Sequence, residues 1–226
     1  MSDLAGTLME RLTTELEAAR DRERAAGMEA YMRDLFPFFG LPAPARRARA
    51  RTALTGLPRP SADDLRAVAL ACWERDEREF QQFACDYLVA HAAVPGPEFL
   101  DTVARLITTK SWWDSVDPLA TRVVGGLVRR HPALAGRMDE WSRHTDMWLV
   151  RTAVLHQLHY GSATDTDRLF GYCAAQAGHP DFFVRKAIGW ALRQYARTDP
   201  GAVRVFLAEH AGDLSPLSVR EASKHL

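Results

Sequence analysis

The sequence is poor in lysine, in cysteine and in long apolar runs, and each shortage narrows what the chain can be. Lys110, Lys186 and Lys224 are its only lysines, so of 29 basic residues all but these are arginines. Arginine suits bidentate contact with phosphate or carboxylate. A GC-rich coding sequence produces the same bias, so the count alone names no partner. The three cysteines, Cys72, Cys85 and Cys173, are odd in number and lack a CxxC spacing, which argues against a disulfide framework and a zinc site and fits a reducing cytoplasm. No run approaches eighteen uninterrupted apolar residues, and the N-terminal stretch MSDLAGTLMERLTTELEAARDRER is acidic and amphipathic. Neither a membrane-spanning helix nor a secretory leader is therefore expected.

Excess charge is also missing, with 29 basic against 29 acidic residues, which on its face argues against affinity for a polyanion. The distribution is less even. Arg46, Arg47, Arg49 and Arg51 crowd one segment, while acids dominate residues 10–29 and 63–79. Phosphate loops of the Walker or dinucleotide type, a Gly-x-Ser-x-Gly elbow and His-Glu-x-x-His are all lacking. His156 and His159 share a helical face without a third ligand nearby and read as surface or partly packed residues.

Periodicity fills the chain with helices. Leu4, Leu8, Leu12 and Leu16 recur every fourth position, the stripe of an amphipathic helix. The pattern predicts further helices over 24–33, from the cap Ser61 to 75, and over 78–92, 98–109, 113–130, 133–143, 147–158, 165–177, 182–196, 201–211 and 216–224, with no convincing strand. Pro37 and Gly40 break the chain after Tyr31. Residues 147–154 line up with 182–188, matching Arg151 to Arg185 at 34 positions, and Asp146 and Asp181 precede the two copies as caps. A short period with a helix pair per unit predicts an all-α fold, a right-handed α-solenoid of one domain over 1–226. It also predicts Trp113, Asp117, Trp148, Arg151, Arg185 and Trp190 on consecutive inner helices.

One stretch carries chemistry. In Ser111-Trp112-Trp113-Asp114-Ser115-Val116-Asp117, Ser111 reads as an N-cap and the acids fall in the first turn, where the helix dipole favours them. Asp117 lies four residues after Trp113, so an indole and a carboxylate share a face able to receive a cation. The plainer reading is core packing for the tryptophan and dipole compensation for the acid. Lys110 reads as a phosphate contact or a solvated side chain, with no catalytic role.

Three separated motifs, YMRDLFPFFG, TTKSWWDSVD, and WLVRTAVLHQL paired with FFVRKAIGWALRQYA, resemble the DNA alkylation repair glycosylases of the AlkD type, over about Tyr31 to Tyr195. The resemblance implies HEAT-like repeats with a concave DNA-facing surface. It also implies a monofunctional glycosylase that releases cationic N3- and N7-alkylated purines without flipping the base. Asp117, Trp113 and Trp190 take the family's catalytic-cleft roles; Tyr31 and Arg151 match DNA-facing positions, to which Arg185, Lys110, Trp148 and Arg47 are added. The expected partner is double-stranded DNA carrying alkylated purines, engaged by a bacterial, cytoplasmic, nucleoid-associated monomer that uses no cofactor, metal or membrane. The chemistry is coherent: a cationic leaving base needs no general acid, only a carboxylate to stabilise charge developing on the sugar. The alternative is a non-catalytic HEAT-like module that binds DNA or protein.

Overall fold

The computed structural model describes residues 3–226, the side chain of His225 apart, and no strand occurs among them. The helices are α1 (Asp3–Glu17), α2 (Arg22–Tyr31), α3 (Ala43–Leu54), α4 (Ala62–Trp73), α5 (Arg78–Ala90), α6 (Phe99–Thr108), α7 (Trp113–Pro118), α8 (Gly125–Arg130), α9 (Ala135–Trp141), α10 (Met147–Leu155), α11 (Thr166–Ala175), α12 (Phe182–Tyr195), α13 (Pro200–Glu209) and α14 (Pro216–Ala222). They form two compact units, Met1–Thr102 and Val103–Leu226, and α6 carries the chain from one into the other. Among the described residues no helix is long and apolar enough to cross a membrane.

In the first unit the expected stripe is the core. Leu8, Leu12 and Leu16 are fully buried on α1 with Leu65 and Val68 of α4 and Phe80 and Leu88 of α5, while Leu4 is only half-buried. Ser61 caps α4 as its sequence implies. Its hydroxyl accepts from the Asp64 N–H at 3.1 Å and the Asp64 carboxylate accepts from the Ser61 N–H at 2.9 Å, a reciprocal capping box. The break after α2 is held by the buried Glu79, whose carboxylate accepts the N–H groups of Phe39, Gly40 and Leu41 at 3.0, 2.9 and 3.0 Å. Gly40 is obligatory there: φ is +92°, and a Cβ would stand 2.1 Å from the Asp21 carbonyl oxygen.

The second unit repeats one motif. Helices α7, α10, α12 and α14 begin 34, 35 and 34 residues apart. Asp146 Oδ1 accepts from Trp148 N–H at 2.8 Å and Asp181 Oδ1 from Phe183 N–H at 2.6 Å, the two caps read from sequence. Each cap is itself fixed by a histidine two residues earlier. His144 Nδ1 accepts the Asp146 N–H at 2.9 Å and His179 Nδ1 the Asp181 N–H at 3.0 Å. These His-x-Asp caps put the repeats in register. Counted from its N-terminal cap, Asp117 of α7, Arg151 of α10 and Lys186 of α12 hold the same position. The structural counterpart of Arg151 is thus Lys186 and not Arg185, which corresponds to the buried Val116 and Val150.

The helix expected over 113–130 is continuous but not uniform. Pro118 lies inside it, lacking the N–H that would reach Asp114, and Leu119–Val124 winds as a π-helix before α8. Gly125 follows, where a Cβ would stand 2.2 Å from the His156 carbonyl oxygen at the end of α10. Helix propensity alone predicts that Gly125→Ala stabilises by about 1 kcal/mol. Backbone contact at that distance reverses the sign, and a loss of about 1–3 kcal/mol is expected, read as a lower denaturant midpoint at unchanged slope.

Between α12 and α14 the buried Glu221 carboxylate receives Lys186 at 2.9 Å, Arg193 at 3.0 Å and Lys224 at 2.8 Å. Hydrogen bonds from Lys224 and Lys186 lower its pKa from 4.5 to about 2. A depressed carboxylate contributes stability that is fully present above about pH 4.5 and is lost as pH falls toward 2. Glu221→Gln should therefore be less stable than wild type at pH 7, and the gap should close between pH 4.5 and 2 in acid titrations followed by circular dichroism.

Candidate functional site

The N-terminal ends of α7, α10 and α12 converge in the second unit. Trp112 is the α7 cap residue, and its extended backbone (φ −159°, ψ 160°) directs the indole toward the neighbouring helices and not along its own. Its ring lies 6.0 Å from Trp148 and 4.9 Å from Phe183, and Trp148 and Phe183 are 5.1 Å apart. Ser111, expected as the cap, instead donates its hydroxyl to the Ile107 carbonyl at 2.6 Å, finishing α6. Lys110 sits in the connecting turn with φ +50°, a left-handed conformation uncommon for a side chain with a Cβ.

One turn into α7, Asp117 meets Arg151 of α10. Nε donates to Oδ1 at 2.7 Å and an Nη to Oδ2 at 2.8 Å, a bidentate pair, while the other Nη donates to the Phe183 carbonyl oxygen. The guanidinium carbon is also 5.9 Å from the Phe183 ring centre. The Arg151 side chain is 3% exposed and that of Asp117 16% exposed. The carboxylate is thus oriented by a buried cation, while the Asp117 side chain as a whole stays partly exposed. Arg151, expected at the DNA surface, lies beneath the acid. Thr121, one turn on, donates its hydroxyl to the Asp117 carbonyl at 2.8 Å, within the π-helical stretch.

The other residues singled out by sequence are spread more widely. Trp113 starts α7, half-buried, one turn before Asp117 on the same face. Trp190 is half-buried on α12, two turns beyond Phe183 and so on its side of that helix. Arg185 is half-buried with its Nε enclosed and without a hydrogen-bond partner. Trp148 is buried in the aromatic cluster as packing. In the first unit, Tyr31 is 73% exposed at the end of α2, followed by Arg33 and Asp34 at φ +59° and +56°. Arg47 is exposed and engages Asp86 through Nε at 3.0 Å and an Nη at 3.2 Å. His156 departs from its surface reading: it is enclosed, its Nδ1 donates to the Ala153 carbonyl at 2.7 Å, and burial lowers its pKa to about 4. It is a neutral core residue. No cluster of three or more histidine, cysteine or carboxylate side chains suited to a metal occurs among the described residues.

Sequence reasoning missed Trp112 and Phe183. The i, i+4 rule selects Trp113 as the neighbour of Asp117, whereas a residue in the extended cap conformation reaches across helices. The repeated His-x-Asp before each of α10 and α12 was the signal that would have set the register and found Phe183 beside Trp148.

A family model for the DNA alkylation repair enzymes matches residues 12–226. Among solved structures, the chain is similar to a predicted DNA alkylation repair enzyme from Enterococcus faecalis, with 32% identity over 92% of this chain and 96% of that one and a TM-score of 0.82. It is also similar in fold to smu.31 from Streptococcus mutans UA159, at 16% identity over 80% and 91% of the two chains and a TM-score of 0.60. No curated protein matches the chain at a significant level.

Proposed function

The chain belongs to the DNA alkylation repair enzyme family, and from that premise we propose that it is a monofunctional DNA glycosylase releasing cationic N3- and N7-alkylated purines from duplex DNA. The observation that carries the reading is the Asp117 carboxylate, fixed by both oxygens on Arg151 in a side chain that is still partly exposed. An alkylated purine leaves with the electrons of its glycosidic bond, which neutralise its own positive charge. Positive charge then develops on the deoxyribose, and a preorganised carboxylate at the mouth of a low-dielectric site stabilises it. Water adds to C1′ and its proton passes to solvent, so no cofactor or metal enters the balance.

Each further residue has a defined part. Arg151 is a positioning residue that holds the Asp117 carboxylate by both oxygens and in one rotamer. Trp113 and Trp190 offer indole faces to the cationic nucleotide. Tyr31 and Arg47 in the first unit, and Lys110 and Arg185 in the second, supply contacts to the DNA backbone, and binding proceeds without flipping the base. A duplex carrying a single 7-methylguanine tests the proposal: purified protein should liberate free base from it. Binding to that duplex with no release at any protein concentration would favour a non-catalytic module.

A further inference from the structure

A second feature of the α7–α8 segment has no part in the chemistry above. Arg122, in the π-helical stretch, and Arg129, two turns further along α8, converge with His159 just beyond α10 on a notch of about 180 Å³ floored by Thr121, Tyr160 and Gly126. Among the described residues lining it there is no carboxylate. Other concavities differ in this respect. In the groove between α3 and α5, about 360 Å³, Asp86 engages both Arg46 and Arg47. In the hollow beside α11, about 410 Å³, Asp139 and Asp165 hold Arg168 while Asp167 adds another negative charge. In the notch beside α8, by contrast, no carboxylate among the described lining residues faces the two guanidinium groups.

We infer that the notch formed by Arg122, Arg129 and His159 binds a backbone phosphate of the duplex, flanking the nucleotide presented to Asp117. The inference rests on the reading that duplex DNA is the substrate, and adds a site to it. Three observations support it. The walls are preassembled, because the Tyr160 hydroxyl donates to the Gly125 carbonyl at 2.7 Å and ties the exit of α10 to the start of α8. The notch adjoins the turn that carries Asp117, since Thr121, one of its lining residues, donates to the Asp117 backbone carbonyl at 2.8 Å. Burial, and then the charge of Arg122, lower the pKa of His159, while at Tyr160 burial raises the pKa and the charge of Arg129 opposes it. Arg129 also compensates the C-terminal end of the α8 dipole, but that role explains neither Arg122, which lies inside the segment, nor His159.

The test is the salt dependence of binding to undamaged duplex DNA, measured by fluorescence anisotropy. Arg122→Gln combined with Arg129→Gln should weaken binding on the order of tenfold or more at low salt and reduce the slope of log K against log salt by about one, the share of a single phosphate. Arg22→Gln with Arg204→Gln removes the same charge from α2 and α13 and should change both quantities much less. An unchanged slope in the first pair, or an equal change in the two pairs, would overturn the inference. Inorganic phosphate serves as a second probe: in wild type it should raise the His159 pKa seen by NMR, and in the double variant it should not. A phosphate response without any change in DNA binding would mark a site for free anions and also overturn it. Because undamaged DNA is the ligand, failure of wild type to release 7-methylguanine would count against the glycosylase reading alone.

Discussion

Asp117→Asn should reduce release of 7-methylguanine by about 10²–10³-fold, the usual effect of deleting one preorganised electrostatic group, and should also destabilise the fold. The amide keeps the shape of the carboxylate and loses its charge. Considered in sequence alone, the substitution looks structurally silent. The structure predicts otherwise, because Arg151 is 3% exposed and its buried guanidinium is paired with the Asp117 carboxylate. Leaving a buried guanidinium without its counterion costs about 2–4 kcal/mol, somewhat reduced here because an asparagine oxygen and the Phe183 carbonyl can still accept hydrogen bonds.

The two consequences separate in a double variant. Asp117→Leu with Arg151→Met replaces the pair by apolar side chains and should recover most of the lost stability while base release stays absent. Single-turnover kinetics on a 7-methylguanine duplex and denaturant midpoints measured on the same preparations check both. Full activity in Asp117→Asn would move the chemistry to another residue. Wild-type stability in that variant would show that neutral acceptors, the asparagine oxygen and the Phe183 carbonyl, satisfy Arg151 without a counterion.

Much of this architecture is legible in the sequence because helix signals are local. Leu8, Leu12 and Leu16, the cap at Ser61 and the aspartate caps at 146 and 181 are each decided by residues within one turn, and each is found as read. What escapes is set by contacts between helices. Arg151 and Arg185 look equivalent because they are identical and 34 residues apart, yet the caps that fix the register are 35 apart and pair Arg151 with Lys186. The π-helical turn after Pro118 is invisible to a 3.6-residue period, and its close packing against α10 depends on Gly125. The net charge of zero also misleads as an average. Arg20, Arg46, Arg47, Arg151 and Arg168 are paired with carboxylates, whereas the arginines of the α8 notch are not balanced by any acid lining it.

Substrate choice should follow charge on the leaving base. 7-Methylguanine and 3-methyladenine should be released, while uracil, hypoxanthine and 8-oxoguanine in the same duplex should survive. The reason lies in what stands beside Asp117. Its structural neighbour is Arg151, whose guanidinium N–H groups are held by the Asp117 carboxylate and the Phe183 carbonyl, and a guanidinium is not a general acid. Asp114, the other acid of the motif, is in the first turn of α7, where a carboxylate offsets the positive end of the helix dipole. A neutral base leaves as an anion unless it is protonated, and no side chain of the motif is suited to protonate it. An alkylated purine arrives already charged, so a carboxylate that stabilises the sugar is sufficient. Bulky N3 or N7 substituents should be tolerated as well, since a nucleotide that stays in the stack directs its adduct into a groove and not into a fitted pocket. Competition among duplexes that differ only in the lesion, scored by alkali-induced strand breakage, checks the whole series. Efficient release of uracil would sink the charge argument, and failure on every bulky cationic adduct would require an enclosing pocket that flips the base.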